Sequence, residues 1–252
     1  MRSLLLIAVL LSLTACGKKG ALYYPDMLVP DATTVTSVGQ IGSSVKLQFV
    51  LPQNDRMGRK LTDLAGVKIS RRQSGSQDEG ACSSCTTDYH LFRTLYLDLL
   101  PEGALRDGNR ILVLDGDVSV GKTYSYRVVP FTKSGLDGLA SPHVSVRLVQ
   151  PTLPPIVHAE SFPTEIRISC VTLLPIAGSF IGFNIYRTAK EDTVPYLPIN
   201  REPLTEKDYT DSGIERNVKY RYMARTLIKL ETGDVVESPL SNVVDGMLKN
   251  DE

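Results

Sequence analysis

The chain predicts an all-β fold built as two β-sandwiches in tandem, and three observations carry that expectation. Short stretches alternate apolar and polar residues with turn-rich segments between them, while long helical periodicity is absent. One strand plan occurs twice, with Tyr124-Ser125-Tyr126 of the first half returning as Tyr220-Arg221-Tyr222 in the second. Between the two copies, Gln150-Pro151-Thr152-Leu153-Pro154-Pro155 cannot form a central strand and reads as a stiff, extended joint.

Composition agrees with a folded chain. Of 252 residues 42% are hydrophobic, enough for real cores, and Pro (15) and Gly (19) are plentiful while Trp is absent. Lys+Arg and Asp+Glu balance at 28 each, so no polyanionic partner is implied and nucleic acid is not expected. After the first residues no apolar run is long enough for a transmembrane helix.

The N-terminus opens with Met1-Arg2 and an apolar run from Leu4 to Leu13, followed by Leu13-Thr14-Ala15-Cys16. A charged start, a short apolar core and small residues before a cut describe a secretory signal of residues 1–15. Leu-Thr-Ala-Cys resembles the bacterial lipobox. That resemblance implies cleavage before Cys16, diacylation of its sulfur and acylation of the new amine. A thiolate suits the chemistry, being readily alkylated. Each buried CH₂ contributes about 0.8 kcal/mol, so two or more chains anchor stably where one does not. The covalent lipid on Cys16 is the one attached group expected; no cofactor or metal is.

Residues 16–30 form the lipidated tether. Cys16-Gly17-Lys18-Lys19-Gly20-Ala21-Leu22-Tyr23-Tyr24-Pro25 resembles the start of the small LptM-like lipoproteins that accompany the lipopolysaccharide-export translocon. The match holds at Cys16, Gly17, Lys19, Gly20, Leu22, Tyr23 and Pro25 and departs at Ala21, where that family has proline. The resemblance implies Lys19, Gly20, Leu22, Tyr23 and Pro25 as partner-binding residues. Physically, the lysines suit anionic head groups and the tyrosines suit the membrane–water interface. Gly17 is not the aspartate that commonly retains lipoproteins in the inner membrane, so the outer membrane is favoured. Fully extended, residues 16 to 30 reach at most about 50 Å.

The first domain is expected over residues 31–150. Val45-Lys46-Leu47-Gln48-Phe49, Val67-Lys68-Ile69, Arg110 to Leu114, Tyr124 to Val128 and Val144 to Leu148 have the period-two pattern of half-buried antiparallel strands. Their order resembles an immunoglobulin-like, fibronectin type III domain. Val45, Leu47, Phe49 and Pro52 fill its second-strand pattern, with Phe49 in the tryptophan place. Val118, six residues before Tyr124, takes the place of the leucine beneath the tyrosine corner. An insertion is expected over residues 73–109, opening on a polar loop, carrying Cys82-Ser83-Ser84-Cys85 and continuing into a strand-like Tyr89 to Leu99. Cys82 and Cys85 read as a local disulfide in an oxidising envelope. The pair also reads as reduced and inert, as a metal site with His90, or as a thioredoxin-like redox centre.

The second domain, residues 151–248, repeats the plan without the insertion. Ile166 to Cys170 mirrors Val45 to Phe49, Ile181 to Arg187 mirrors Ala65 to Arg71, Ile214 mirrors Val118, and Ser238-Pro239 echoes Ser141-Pro142. Phe183-Asn184-Ile185-Tyr186-Arg187-Thr188 and Asp208-Tyr209-Thr210-Asp211 look like fibronectin type III strands. Cys170 falls in the tryptophan place and reads as a small buried apolar residue.

No Gly-x-Ser-x-Gly, His-Glu-x-x-His, phosphate-binding glycine loop or zinc-ribbon cysteine set is present, and His90, His143 and His158 are scattered. The expectation is a non-enzymatic, lipid-anchored cell-envelope lipoprotein acting as a spacer or protein-interaction module. It would have a membrane contact, an envelope protein partner and no small-molecule substrate. Two alternatives stand beside it: an accessory of the lipopolysaccharide-export translocon acting through the N-terminal segment, and an envelope thiol or metal protein using Cys82 and Cys85.

Overall fold

The computed structural model describes residues 27–74, 88–173, 177–189 and 195–249, and among them it is all-β with no α-helix. The first half contributes β1 (Thr34–Ile41), β2 (Ser44–Val50), β3 (Leu64–Ser74), β4 (His90–Tyr96), β5 (Ala104–Asp107), β6 (Arg110–Asp115), β7 (Thr123–Thr132) and β8 (Val144–Arg147). The second contributes β9 (Ile156–Ser161), β10 (Ile166–Val171), β11 (Ser179–Thr188), β12 (Asp208–Asp211), β13 (Tyr220–Lys229), β14 (Val235–Glu237) and β15 (Val244–Gly246).

In the first sandwich the path β1-β2-β6-β5 faces the sheet β4-β3-β7-β8, an immunoglobulin-like strand order. Alternation in β2 sends Val45, Leu47 and Phe49 inward. They meet Ile69, Leu95, Ile111, Tyr126 and Val128 in one closed core, with Phe49 wholly buried. Each such side chain stabilises the fold by about 1.5–3 kcal/mol relative to exposure. In the second sandwich β9-β10-β12 faces β11 and β13, and Val157, Ile166, Ile168, Cys170, Ile185 and Tyr222 fill the core.

Matching polar frames close both cores. The Tyr124 hydroxyl accepts the Ser119 N–H at 2.9 Å and the Tyr220 hydroxyl the Glu215 N–H at 3.1 Å, with Val118 and Ile214 packed on the respective cores. The Arg71 guanidinium donates to both oxygens of Asp115 and to the Asp117 carbonyl, and Arg187 does the same with Asp211 and the Gly213 carbonyl. Tyr126 and Tyr222 donate to the same two carboxylates at 2.7 and 2.9 Å. Burial alone would lower the two arginines, but the carboxylates they contact raise them above their ordinary value.

The segment expected as an insertion over 73–109 differs from that reading. Its described part supplies two sandwich strands, β4 paired on β3 and β5 paired on β6, and Leu95 of β4 is fully buried. The extra length of the first copy still lies here, since Arg71 and Asp115 are 44 residues apart and Arg187 and Asp211 only 24. In the second copy an irregular strap replaces β4. Ile199 and Leu204 bond to the β11 backbone, and the Asn200 side chain completes the edge. Glycine permits this close approach in both copies. A Cβ on Gly66 would overlap the Leu95 carbonyl oxygen, and one on Gly182 would stand 2.8 Å from that of Leu204.

The echo of Ser141-Pro142 at Ser238-Pro239 also needs correcting. Ser141 brackets Val128, two residues past Tyr126; its counterpart by that register is Ser241, which brackets Ala224. Ser238 repeats the device one step further on, at Thr226. Proline at 239 lacks an N–H, so the last strand breaks into β14 and β15, both paired on β13.

Candidate functional site

The break after β14 leaves that short strand free to pair on its other side, and it does so with the first sandwich. β1 and β14 run parallel with Gln40 opposite Val236 and Ile41 opposite Glu237, and the Gly42 N–H donates to the Glu237 carbonyl at 2.8 Å. One sheet therefore runs β11-β13-β14-β1-β2-β6-β5 from one sandwich into the other.

Side chains seal the crossing. Lys46 of β2 is ion-paired with Glu237, whose other oxygen accepts the Tyr186 hydroxyl at 2.6 Å and the Asn184 amide at 3.5 Å. Arg225 donates to the Ser238 carbonyl at 2.6 Å and lies over the Tyr186 ring, while its Nε is buried without a partner. Burial would raise the Glu237 carboxyl, but Lys46, Tyr186 and Arg225 outweigh it and hold the group below its ordinary value. Burial lowers Arg225, and burial beside Glu237 raises Tyr186. Buried Gln40 fixes the start of the joint, donating to the Gly42 and Val149 carbonyls and accepting the Val149 N–H. Chemically this is a buried ion-pair network in which the Lys46, Tyr186 and Asn184 donors converge on one ionised carboxylate.

Beside it lies a cavity of about 280 Å³ between the outer face of the first sandwich and the strap of the second. Leu105, Leu112 and Leu197 form its apolar wall, and Ser37, Gln48 and Arg110 its polar rim.

Of the residues singled out from sequence, Cys16, Lys19, Gly20, Leu22, Tyr23, Pro25, Cys82 and Cys85 lie outside the described residues. Cys170 is buried in the second core, and burial pushes its thiol up to about 12, which leaves it protonated and unreactive. No group of three metal-ligating side chains occurs among the described residues. Lys46, Gln40 and Glu237 were not apparent in the sequence: each sits at an ordinary polar position of its own strand, and no local pattern marks a contact with another domain.

No family model and no curated protein matches the chain. Among solved structures it is similar to the FN1–FN3 domains of chicken CNTN1, at 15% identity and a TM-score of 0.31, over 88% of this chain and 67% of that one.

Proposed function

We propose that this chain is a non-enzymatic, lipid-anchored envelope lipoprotein whose two sandwiches serve as a stiff spacer and protein-interaction module. Residues 31–150 and 151–248 would form its two domains, and Cys16 would hold it on the membrane, the outer membrane in preference to the inner. The observation that carries the spacer reading is the β1–β14 pairing with the buried Lys46–Glu237 contact. Two sandwiches that share a sheet and a buried ion pair transmit position, which a flexible leash between them would not. The anchor reading is supported by Leu13-Thr14-Ala15-Cys16.

The test has two readouts. Mass spectrometry of the mature protein should find acyl chains on Cys16, and Cys16→Ser should leave the protein unlipidated and displaced from the membrane; an unmodified N-terminus downstream of residue 16 would refute the anchor. Cross-linking in intact envelopes should capture a protein partner. Repeating it without residues 17–25 asks whether Lys19, Gly20, Leu22, Tyr23 and Pro25 make that contact, as the translocon-accessory alternative requires. Thiol titration separates the remaining alternative, a thiol or metal protein using Cys82 and Cys85.

A further inference from the structure

The end of the first sandwich that carries the N-terminus holds an open groove of about 520 Å³. It is formed by residues 51–64, the β2–β3 connection and the start of β3, by residues 97–109, the β4–β5 connection with β5 and the turn after it, and by the start of the β7–β8 connection at Lys133. Leu51, Leu61, Leu64 and Leu97 supply apolar patches within a mainly polar lining. Lys60, Arg106 and Lys133 line it against a single carboxylate, Asp98. Arg106 is held in place by the Gly108 and Leu97 carbonyls. Lys60 and Lys133 are exposed and make no ion pair with any described residue. The nearby Asp55 does not neutralise them, because it is engaged by Arg59 and by the Met57 and Arg59 N–H groups.

A groove lined by leucines and by two ammonium groups that pair with no described carboxylate fits a molecule with an apolar part and a compact anion. We infer that it binds the phosphate of an anionic amphiphile. Lysine is suited to such a group as a point charge with rotatable donors. The position of the groove favours a lipid as the source. The Arg56 N–H donates to the Val29 carbonyl and the Leu139 N–H to that of Pro30, so the first described residues run along the same loops. The chain from Cys16 to Met27 spans at most about 40 Å when fully extended. Leu99, adjacent to Asp98, is 81% exposed and offers the rim an apolar contact. The lipid source rests on the anchor reading above; the phosphate chemistry does not.

Hydrogen exchange on the full chain tests this. Three conditions are compared: phosphatidylcholine vesicles, the same vesicles containing phosphatidylglycerol, and phosphatidylcholine vesicles with inorganic phosphate in solution. Amides in residues 53–64 and 132–139 should slow with phosphatidylglycerol and not with phosphatidylcholine alone, and Lys60→Gln/Lys133→Gln should abolish the slowing while leaving the melting temperature unchanged. Equal slowing by inorganic phosphate would retain the anion site and assign it to a free phosphate. No slowing in either anionic condition, or slowing that survives the double substitution, would overturn the inference. Failure of the anchor reads out separately, as a protein that carries no acyl mass and does not float with the vesicles; inorganic phosphate reaches the groove from solution whether or not the protein is on the vesicles, so that condition still reports on the groove.

Discussion

Lys46 and Glu237, 191 residues apart in the chain, meet as an ion pair whose side chains are only 16% and 7% exposed. The lysine belongs to the first sandwich and the glutamate to the second, so the pair exists only when the two are docked. Removing one member strands the other. Lys46→Ala should leave the Glu237 carboxylate buried beside Tyr186 and cost the docking about 3 kcal/mol. Each sandwich keeps its own core, so denaturant unfolding should split from one transition towards two. A single transition at an unchanged midpoint would mean that backbone pairing alone holds the joint.

The same contact sets an acid limit. The Glu237 carboxyl is depressed from its ordinary 4.5, so its stabilising contribution is complete above that value and is lost as pH falls through the lower, docked value. Small-angle scattering should therefore show a constant shape from neutral pH down to about 4.5 and loosening below it. Glu237→Gln should weaken docking at neutral pH and remove the part of the acid response that belongs to this carboxyl. An acid transition identical in the variant would assign it to other groups.

Tyr126 and Tyr222 donate to Asp115 and Asp211 from equivalent places in the two copies. Each Tyr→Phe change removes a donor from a buried, arginine-bound carboxylate, where a hydrogen bond to a charge contributes about 2 kcal/mol. The two substitutions should cost similar amounts in melting experiments, because the surroundings repeat. A large inequality would show that the frames, alike in geometry, differ in how their neighbours compensate.

Legibility followed burial. Strands β2 and β10 each bury one face, and β7 and β13, which bury residues of both, still alternate in side-chain character at their start, so the period-two pattern of Val45-Leu47-Phe49, Tyr124-Tyr126-Val128, Ile166-Ile168-Cys170 and Tyr220-Tyr222 was visible, as was the role of Cys170. Strands β5 and β14 were not, because four or three residues carry too little alternation and their partners define them. The docking site was hidden for a related reason. In a lone sandwich Lys46 would face water, as its alternation suggests; what covers it is a strand that follows almost two hundred residues later.

The strap of the second sandwich offers a sharper test of how a missing strand is replaced. In the first sandwich β4 covers the edge of β3 with a ladder from Gly66 to Arg71, shifted once between Ile69 and Ser70. In the second, the corresponding edge of β11 is met by few backbone bonds, and Asn200 supplies the rest. Its Oδ1 accepts the Ile185 N–H at 2.7 Å, while its Nδ2 donates to the Phe183 carbonyl at 3.0 Å and the Glu202 carbonyl at 2.7 Å. Asn200→Ala would orphan the Ile185 N–H, at a cost of about 1–3 kcal/mol for a group left buried and unbonded, and would leave the Phe183 carbonyl with the Leu204 N–H alone. Asn200→Asp keeps the acceptor for Ile185 but turns a charged oxygen on the two carbonyls, so it should not rescue. Melting temperature orders the three proteins, and hydrogen exchange at Ile185 locates the effect. Alanine should also bare a strand edge that templates association, so aggregation on heating should rise with the loss of stability. Normal protection of the Ile185 amide in Asn200→Ala would show that Ile199 and Leu204 hold the strap unaided and that Asn200 is incidental.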